Sequence, residues 1–147
     1  MKKGFTLAEL LITVVILSVL TAVAIPNFTA SINRANARQA IAHLRAIRSA
    51  EKMYAARNQG AYFYCNGGTA VQNAGCLLTN LGVEVATERY SFDVTGSGTT
   101  FLARTVSGGG VPQDCTAATA ICLSDAGVWS GGLVATSYRP DPATVTG

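Results

Sequence analysis

Four cysteines and one glutamate are the residues of this 147-residue chain whose types and places invite chemistry. The cysteines stand at 65, 76, 115 and 122. A thiolate can attack, hold zinc or close a disulfide. Zinc sites usually show a tight pair with about two to four residues between the cysteines; the intervals here are ten and six. An even count beyond a hydrophobic opening segment reads instead as two disulfides in an exported head. Short rings close most easily, and a strand hairpin separates one candidate pair from the other. The expected pairs are Cys65–Cys76 and Cys115–Cys122, stabilising the head by roughly 2.5–3 kcal/mol each on the disputed chain-entropy model. The glutamate is Glu9, inside a run from Phe5 to Ile25 in which 16 of 21 residues are apolar. As a helix that run is about 31 Å long, the thickness of a bilayer's hydrocarbon. A carboxylate inside it costs about 2.5–3.5 kcal/mol on insertion scales.

Nothing else suggests catalysis. His43 is the only histidine; it lies near an apolar helical arc and is expected as a packed core residue. Gly96-Ser97-Gly98 lacks the Lys-Ser/Thr of a phosphate loop. No metal, no cofactor and no enzymatic activity are expected.

The apolar run has three readings. It resembles a cleaved secretory signal, with Lys2-Lys3 before it and Ala22-Val23-Ala24 as a small-x-small cleavage site; that would free a soluble binding module. The run is long for that, and an acid has no role in a discarded peptide. As a plain membrane anchor its N-terminus is cytoplasmic by the positive-inside rule, yet Glu9 stays unexplained. The third reading rests on Lys2-Lys3-Gly4-Phe5-Thr6-Leu7-Ala8-Glu9, with Pro26 beyond. This stretch resembles the class III signal of type IV pilins and pseudopilins, at family spacing throughout.

That resemblance implies a leader, residues 1–4, cut after Gly4 by the prepilin peptidase. It implies N-methylation of the new terminus, Phe5. The acid Glu9 is then an assembly residue that takes the Phe5 amine of a neighbouring subunit, so that each charge offsets the burial of the other and an axial register is set. Pro26 is expected to kink the helix. The family often has a glycine near position 18, where this chain has Ser18. Local melting is expected between about 18 and 26 in the filament. The motif covers residues 2–28 only.

The rest is read from its own pattern. No glycine falls between Phe5 and Arg57, so the helix continues past the membrane segment (5–26) as a stem (27–57). On the stem, Arg34, Arg38, Arg45, Arg48 and Lys52 share an arc of about 80°. Ala40, Leu44, Ile47, Ala50 and Tyr54 lie on the opposite arc, with Ile41 on the basic side. The basic stripe is expected to face acidic heads of neighbouring subunits rather than nucleic acid. Asn58-Gln59-Gly60 marks the stop.

Residues 58–147 form the head. Its first part, 61–87, reads as a loop with room for a short helix. Glu88 to Val94 alternates with Tyr90, Phe92 and Val94 on one face. Gly96-Ser97-Gly98 marks a turn into Thr99–Val106. Gly108-Gly109-Gly110 is a connection. Ala120–Ser124 is a third strand that turns at Asp125-Ala126-Gly127 into Val128-Trp129. The fold class expected is α+β: a long N-terminal helix packed on a small antiparallel meander, the type IV pilin fold.

Function by resemblance is that of a homopolymeric pilus subunit, used in adhesion, twitching motility or DNA uptake. The precursor would sit in the inner membrane with its head outside. Its partners would be the assembly machinery and minor pilins, and its end state an extracellular fibre. A type II secretion pseudopilin is the alternative. It is disfavoured because neither an acidic calcium loop nor a Trp-Gly-x-Pro-Tyr-like stretch is present; Trp129 is followed by Ser130-Gly131.

Overall fold

The computed structural model describes residues 4–65, 67–85, 88–107, 115–116 and 119–132, apart from the side chains of 23 and 25–27. Lys2, Lys3 and the connection at 108–110 lie outside these. The elements run α1 (Leu7–Arg57), α2 (Ala70–Leu81), β1 (Tyr90–Ser97), β2 (Thr100–Ser107), β3 (Ala120–Ser124) and β4 (Trp129–Ser130). This is the expected α+β order of a long helix followed by a small sheet. Two compact units are present, Met1–Ala35 and Asn36–Gly147.

In the first unit α1 stays helical through Pro26; the bend expected there falls at a side chain outside those described. Among the described residues no helix is long and apolar enough to cross a membrane. The full run from Phe5 to Ile25 is only partly covered by them.

The second unit holds the core. Its sheet is an antiparallel meander in the order β1-β2-β3-β4. The β1–β2 hairpin closes from Ser97 paired with Thr100. Gly98 takes φ +63 at the first turn position, where a two-residue hairpin favours glycine. Glu88 and Arg89, expected to open β1, precede it; Gly96 and Ser97, expected as turn, belong to it. Phe92, Val94, Phe101, Ala103, Ile121 and Leu123 form one buried cluster with Ala40, Ile41, Leu44 and Ile47 of α1. Ile41 is thus a core residue, and the basic side that carries it is not simply solvated. The reason is angular: the buried stripe runs Ala37, Ala40, Ile41, Leu44, Ile47, Glu51 and Ala55, the three-and-four spacing of one helix face. Its centre lies nearer Arg48 than the sequence suggests. Arg48 is accordingly half-buried, and its Nε and Nη2 donate to the Asp125 carbonyl at 3.2 and 3.0 Å. The Arg45 guanidinium lies 5.8 Å from the Trp129 ring centroid, within cation–π range. Two cations of the stripe therefore engage this chain's own sheet.

Helix α2 is longer than the short helix allowed for. The Thr69 hydroxyl accepts from the Gln72 N–H, and the Gln72 side chain accepts from the Thr69 N–H at 2.9 Å. This reciprocal box satisfies two orphan donors. Gly82 ends the helix at φ 69. Cys65 exchanges both backbone hydrogen bonds with Val94, at 2.9 and 3.0 Å, and is disulfide-bonded to Cys76 on α2. The second disulfide joins Cys115 to Cys122. Both are the pairs that ring length favours.

Neighbouring leucines of α2 give a direct test of this packing. Leu77 is fully buried and Leu78 is 51 % exposed. Leu77→Ala is expected to destabilise the oxidised head by about 2–5 kcal/mol. Leu78→Ala is expected to change it by no more than about 0.5 kcal/mol. Denaturant unfolding of both variants measures the difference.

Candidate functional site

The N-terminal segment is built on a second reciprocal box. Thr6 precedes α1 and Glu9 stands three residues on. The Glu9 Oε2 accepts from the Thr6 N–H at 3.0 Å and from its hydroxyl at 2.8 Å. The Glu9 N–H in turn donates to the Thr6 hydroxyl oxygen at 3.3 Å. Four N–H groups at a helix start lack intrahelical partners, and a Thr-x-x-Glu box meets two of them. Glu9 therefore has a local role at the helix terminus, with its negative charge at the positive end of the helix dipole. The signal, Thr6 and Glu9 at capping-box spacing, is in the sequence.

Gly4 and Phe5 lie just before this box, and Phe5 is 78 % exposed. A Cβ built on Gly4 meets nothing within 4 Å. The fold of this chain does not require glycine there. Further along, each hydroxyl of the apolar run bonds back to its own helix. Thr13 donates to the Leu10 carbonyl at 2.8 Å, Ser18 to that of Val15 at 2.7 Å, and Thr21 to that of Leu17 at 2.9 Å. Such bonds leave no side-chain donor to be met by water.

Among the described residues of the second unit two acids are buried. Glu51 sits at the middle of the α1 stripe and is fully buried. Its Oε2 accepts the Phe63 N–H at 2.9 Å, tying the segment after α1 back to the helix, while Oε1 has no partner. Burial pushes this carboxyl up to about 7, against the opposing Phe63 hydrogen bond. Asp93 on β1 pairs with Arg104 directly opposite on β2, through Nε–Oδ1 at 2.8 Å and Nη2–Oδ2 at 2.6 Å. Burial raises the Asp93 carboxyl although Arg104 opposes the shift. Sequence periodicity placed neither acid in the interior. Glu51 had a usable signal, since it falls between Leu44 and Ile47 on the helical wheel. His43 is half-buried, its ring 5.5 Å from that of Phe92 in a T-shaped contact. Among the described residues no group of three His, Cys, Asp or Glu side chains could hold a metal.

The N-terminal segment carries a likeness to known proteins. Residues 1–25 match the family model of the prokaryotic N-terminal methylation motif. The chain is also 35 % identical over 95 residues to the type IV wide pilus major component PilA4 of Thermus thermophilus. That match takes in 65 % of this chain and 65 % of the relative, so the chain spans about two-thirds of the length of the curated relative. No solved structure matches it. In its N-terminal motif and in this relative the chain is similar to type IV pilins, and its long helix and four-stranded antiparallel sheet agree with that likeness.

Glu51 gives a pH prediction. Its folded value, about 7, lies above the ordinary 4.5, so the folded head holds the extra proton. The stabilisation is full below about pH 4.5, declines as pH rises and is lost beyond about 7, a change of order 3 kcal/mol. Glu51→Gln should remove that part of the slope, leaving the contribution of Asp93. Thermal unfolding followed by near-UV dichroism between pH 4.5 and 8, wild type against variant, checks it.

Proposed function

We propose that this chain is the structural, non-catalytic subunit of a type IV pilus filament, assembled through its apolar N-terminal helix. The observation that carries the reading is the circumference of α1. Nine large apolar residues between Leu10 and Leu20 are 53–62 % exposed, and consecutive positions among them cover every side of the helix. A helix apolar all round belongs in lipid or among other such helices. The precursor would therefore rest in the inner membrane with its head outside, where the disulfides persist, and would then pass into a homopolymeric extracellular fibre.

Gly4 and Phe5 fit the processing step. Because nothing in this chain crowds position 4, the glycine answers to a requirement outside the chain, that of the prepilin peptidase. Cleavage frees the Phe5 amine for methylation. Glu9 remains available to it: capping uses Oε2, and the other carboxylate oxygen can accept an amine from a neighbouring subunit. Adhesion, twitching motility and DNA uptake are the uses such a fibre would have. Minor pilins and the assembly machinery are its expected partners. A pseudopilin of a type II secretion system has the same N-terminal chemistry; the relative named as a pilus component favours the pilin.

Two variants test the reading. Gly4→Leu is expected to fold and insert but to remain uncut, seen as a precursor band on an immunoblot; normal maturation would refute the processing site. Glu9→Val should insert at least as well as wild type, since a costly charge is gone, yet yield few fibres. Electron micrographs with wild-type fibre numbers would refute the assembly role. Far-UV dichroism of the same variant in detergent separates that role from the capping box, whose loss alone costs about 1 kcal/mol.

A further inference from the structure

The segment that leaves α1 passes over the buried Glu51 before any further helix or strand begins. Gln59 at φ 56 and Gly60 at φ 87 turn the chain back; a side chain seldom adopts the first of these angles. Cys65 fixes the chain again, through its backbone bridge to Val94 and its disulfide. We propose that residues 61–64, between these two points, are a pH-gated strap that opens about the Gln59-Gly60 hinge when Glu51 ionises and so lets the carboxylate reach water. A charge inside a protein must be paired or hydrated. Glu51 is fully buried; its Oε2 accepts the Phe63 N–H at 2.9 Å and its Oε1 has no partner. The strap is held by little else. The Tyr62 N–H donates to the Gly98 carbonyl at 3.4 Å. The Tyr62 ring lies 4.7 Å from Phe101, and the Phe63 ring 5.5 Å from Tyr54. The Tyr64 hydroxyl donates to the Gly98 carbonyl at 3.0 Å. Few contacts and few backbone bonds mark a segment that opens at less than the global unfolding free energy.

Among the described residues no cation answers Glu51. On α1, Arg48 stands one turn before it with its guanidinium on the Asp125 carbonyl. His43, two turns before, lies against Phe92. Lys52 and Arg57 are exposed. Tyr54, one turn on, brings a phenol, and the strap brings those of Tyr62 and Tyr64. Helix α2 carries no charge. The sheet turns the apolar Val94, Phe101 and Leu123 to the core, while Asp93 and Arg104 pair on its other face. With the strap closed, burial pushes the Glu51 carboxyl up to about 7 from the ordinary 4.5. The closed strap therefore holds the extra proton: closure is strongest below about pH 4.5, weakens as pH rises and levels off beyond about 7. The opening constant is expected to climb about tenfold per pH unit across that window, about 300-fold in all. Opening uncovers the Tyr54 and Phe101 rings, so the head gains at neutral pH an aromatic surface that acid hides.

Amide hydrogen exchange of the full-length protein in phosphocholine micelles, between about pH 5 and 7.5, tests this, each rate being divided by that of the unprotected amide. Two reporters suffice. The Phe63 N–H belongs to the strap; the Val94 N–H donates to the Cys65 carbonyl at 3.0 Å, beyond the staple. The Phe63 opening constant is expected to exceed that of Val94 at least tenfold throughout, and to rise about tenfold per pH unit up to about 7. In Glu51→Gln the rise at Phe63 is expected to vanish, while Val94 keeps the contribution of Asp93. Equal opening constants for the two amides would overturn the proposal, since the strap would then open only with the whole head. So would a Phe63 constant that ignores pH in the wild type, or a rise that survives in Glu51→Gln. The wild-type comparison decides by itself should the variant fail to fold.

Discussion

The head depends on one contact, that between the α1 stripe and the apolar face of the meander. Four short antiparallel strands with a single apolar face cannot bury it on themselves. Leu44 and Ile47 supply the missing layer, and with Phe92, Val94, Ile121 and Leu123 they make one core. The edge of β1 is closed by the Cys65 bridge, which guards against pairing with another chain. The Cys65–Cys76 disulfide then holds α2 to that same edge. Glu51 stands within this layer and fixes the segment after α1 through the Phe63 N–H; Asp93, between Phe92 and Val94, points to the other sheet face and bonds Arg104 across the hairpin.

The two units solve the same terminal problem in the same way. Thr6 with Glu9 and Thr69 with Gln72 are both threonine-led reciprocal boxes. One uses a charged partner and one a neutral partner. The charged version sits where a second demand, the amine freed at Phe5, is proposed; the neutral version begins a helix that contains no charge.

Much of this was legible in the sequence, for local reasons. The turn at Gly98, the third strand and the disulfide pairs follow from short-range chemistry, and the structure keeps them. Strand limits moved by a few residues, since Gly96 and Ser97 take part in the ladder despite their turn preference. Ile41 on the basic side marks a face that is not simply solvated, and it is buried; the buried stripe turns further toward that side than the apolar arc indicates, with Arg48 reaching around to Asp125. The acids Glu51 and Asp93 were missed because burial of a carboxyl depends on a partner contributed from elsewhere, Phe63 N–H in one case and Arg104 in the other. Helix α2 was underestimated although its box and its terminal Gly82 were both present at the required spacing.

The back-bonded hydroxyls of Thr13, Ser18 and Thr21 have a consequence for traffic. A segment that carries its own hydrogen-bond partners needs no exchange of partners when its surroundings change. Moving it from one apolar medium to another leaves every one of those bonds intact, so the transfer has no polar toll and no preferred direction from that source. Direction must then come from the groups that do change partners. In this helix they are gathered at one end, within five residues of Gly4.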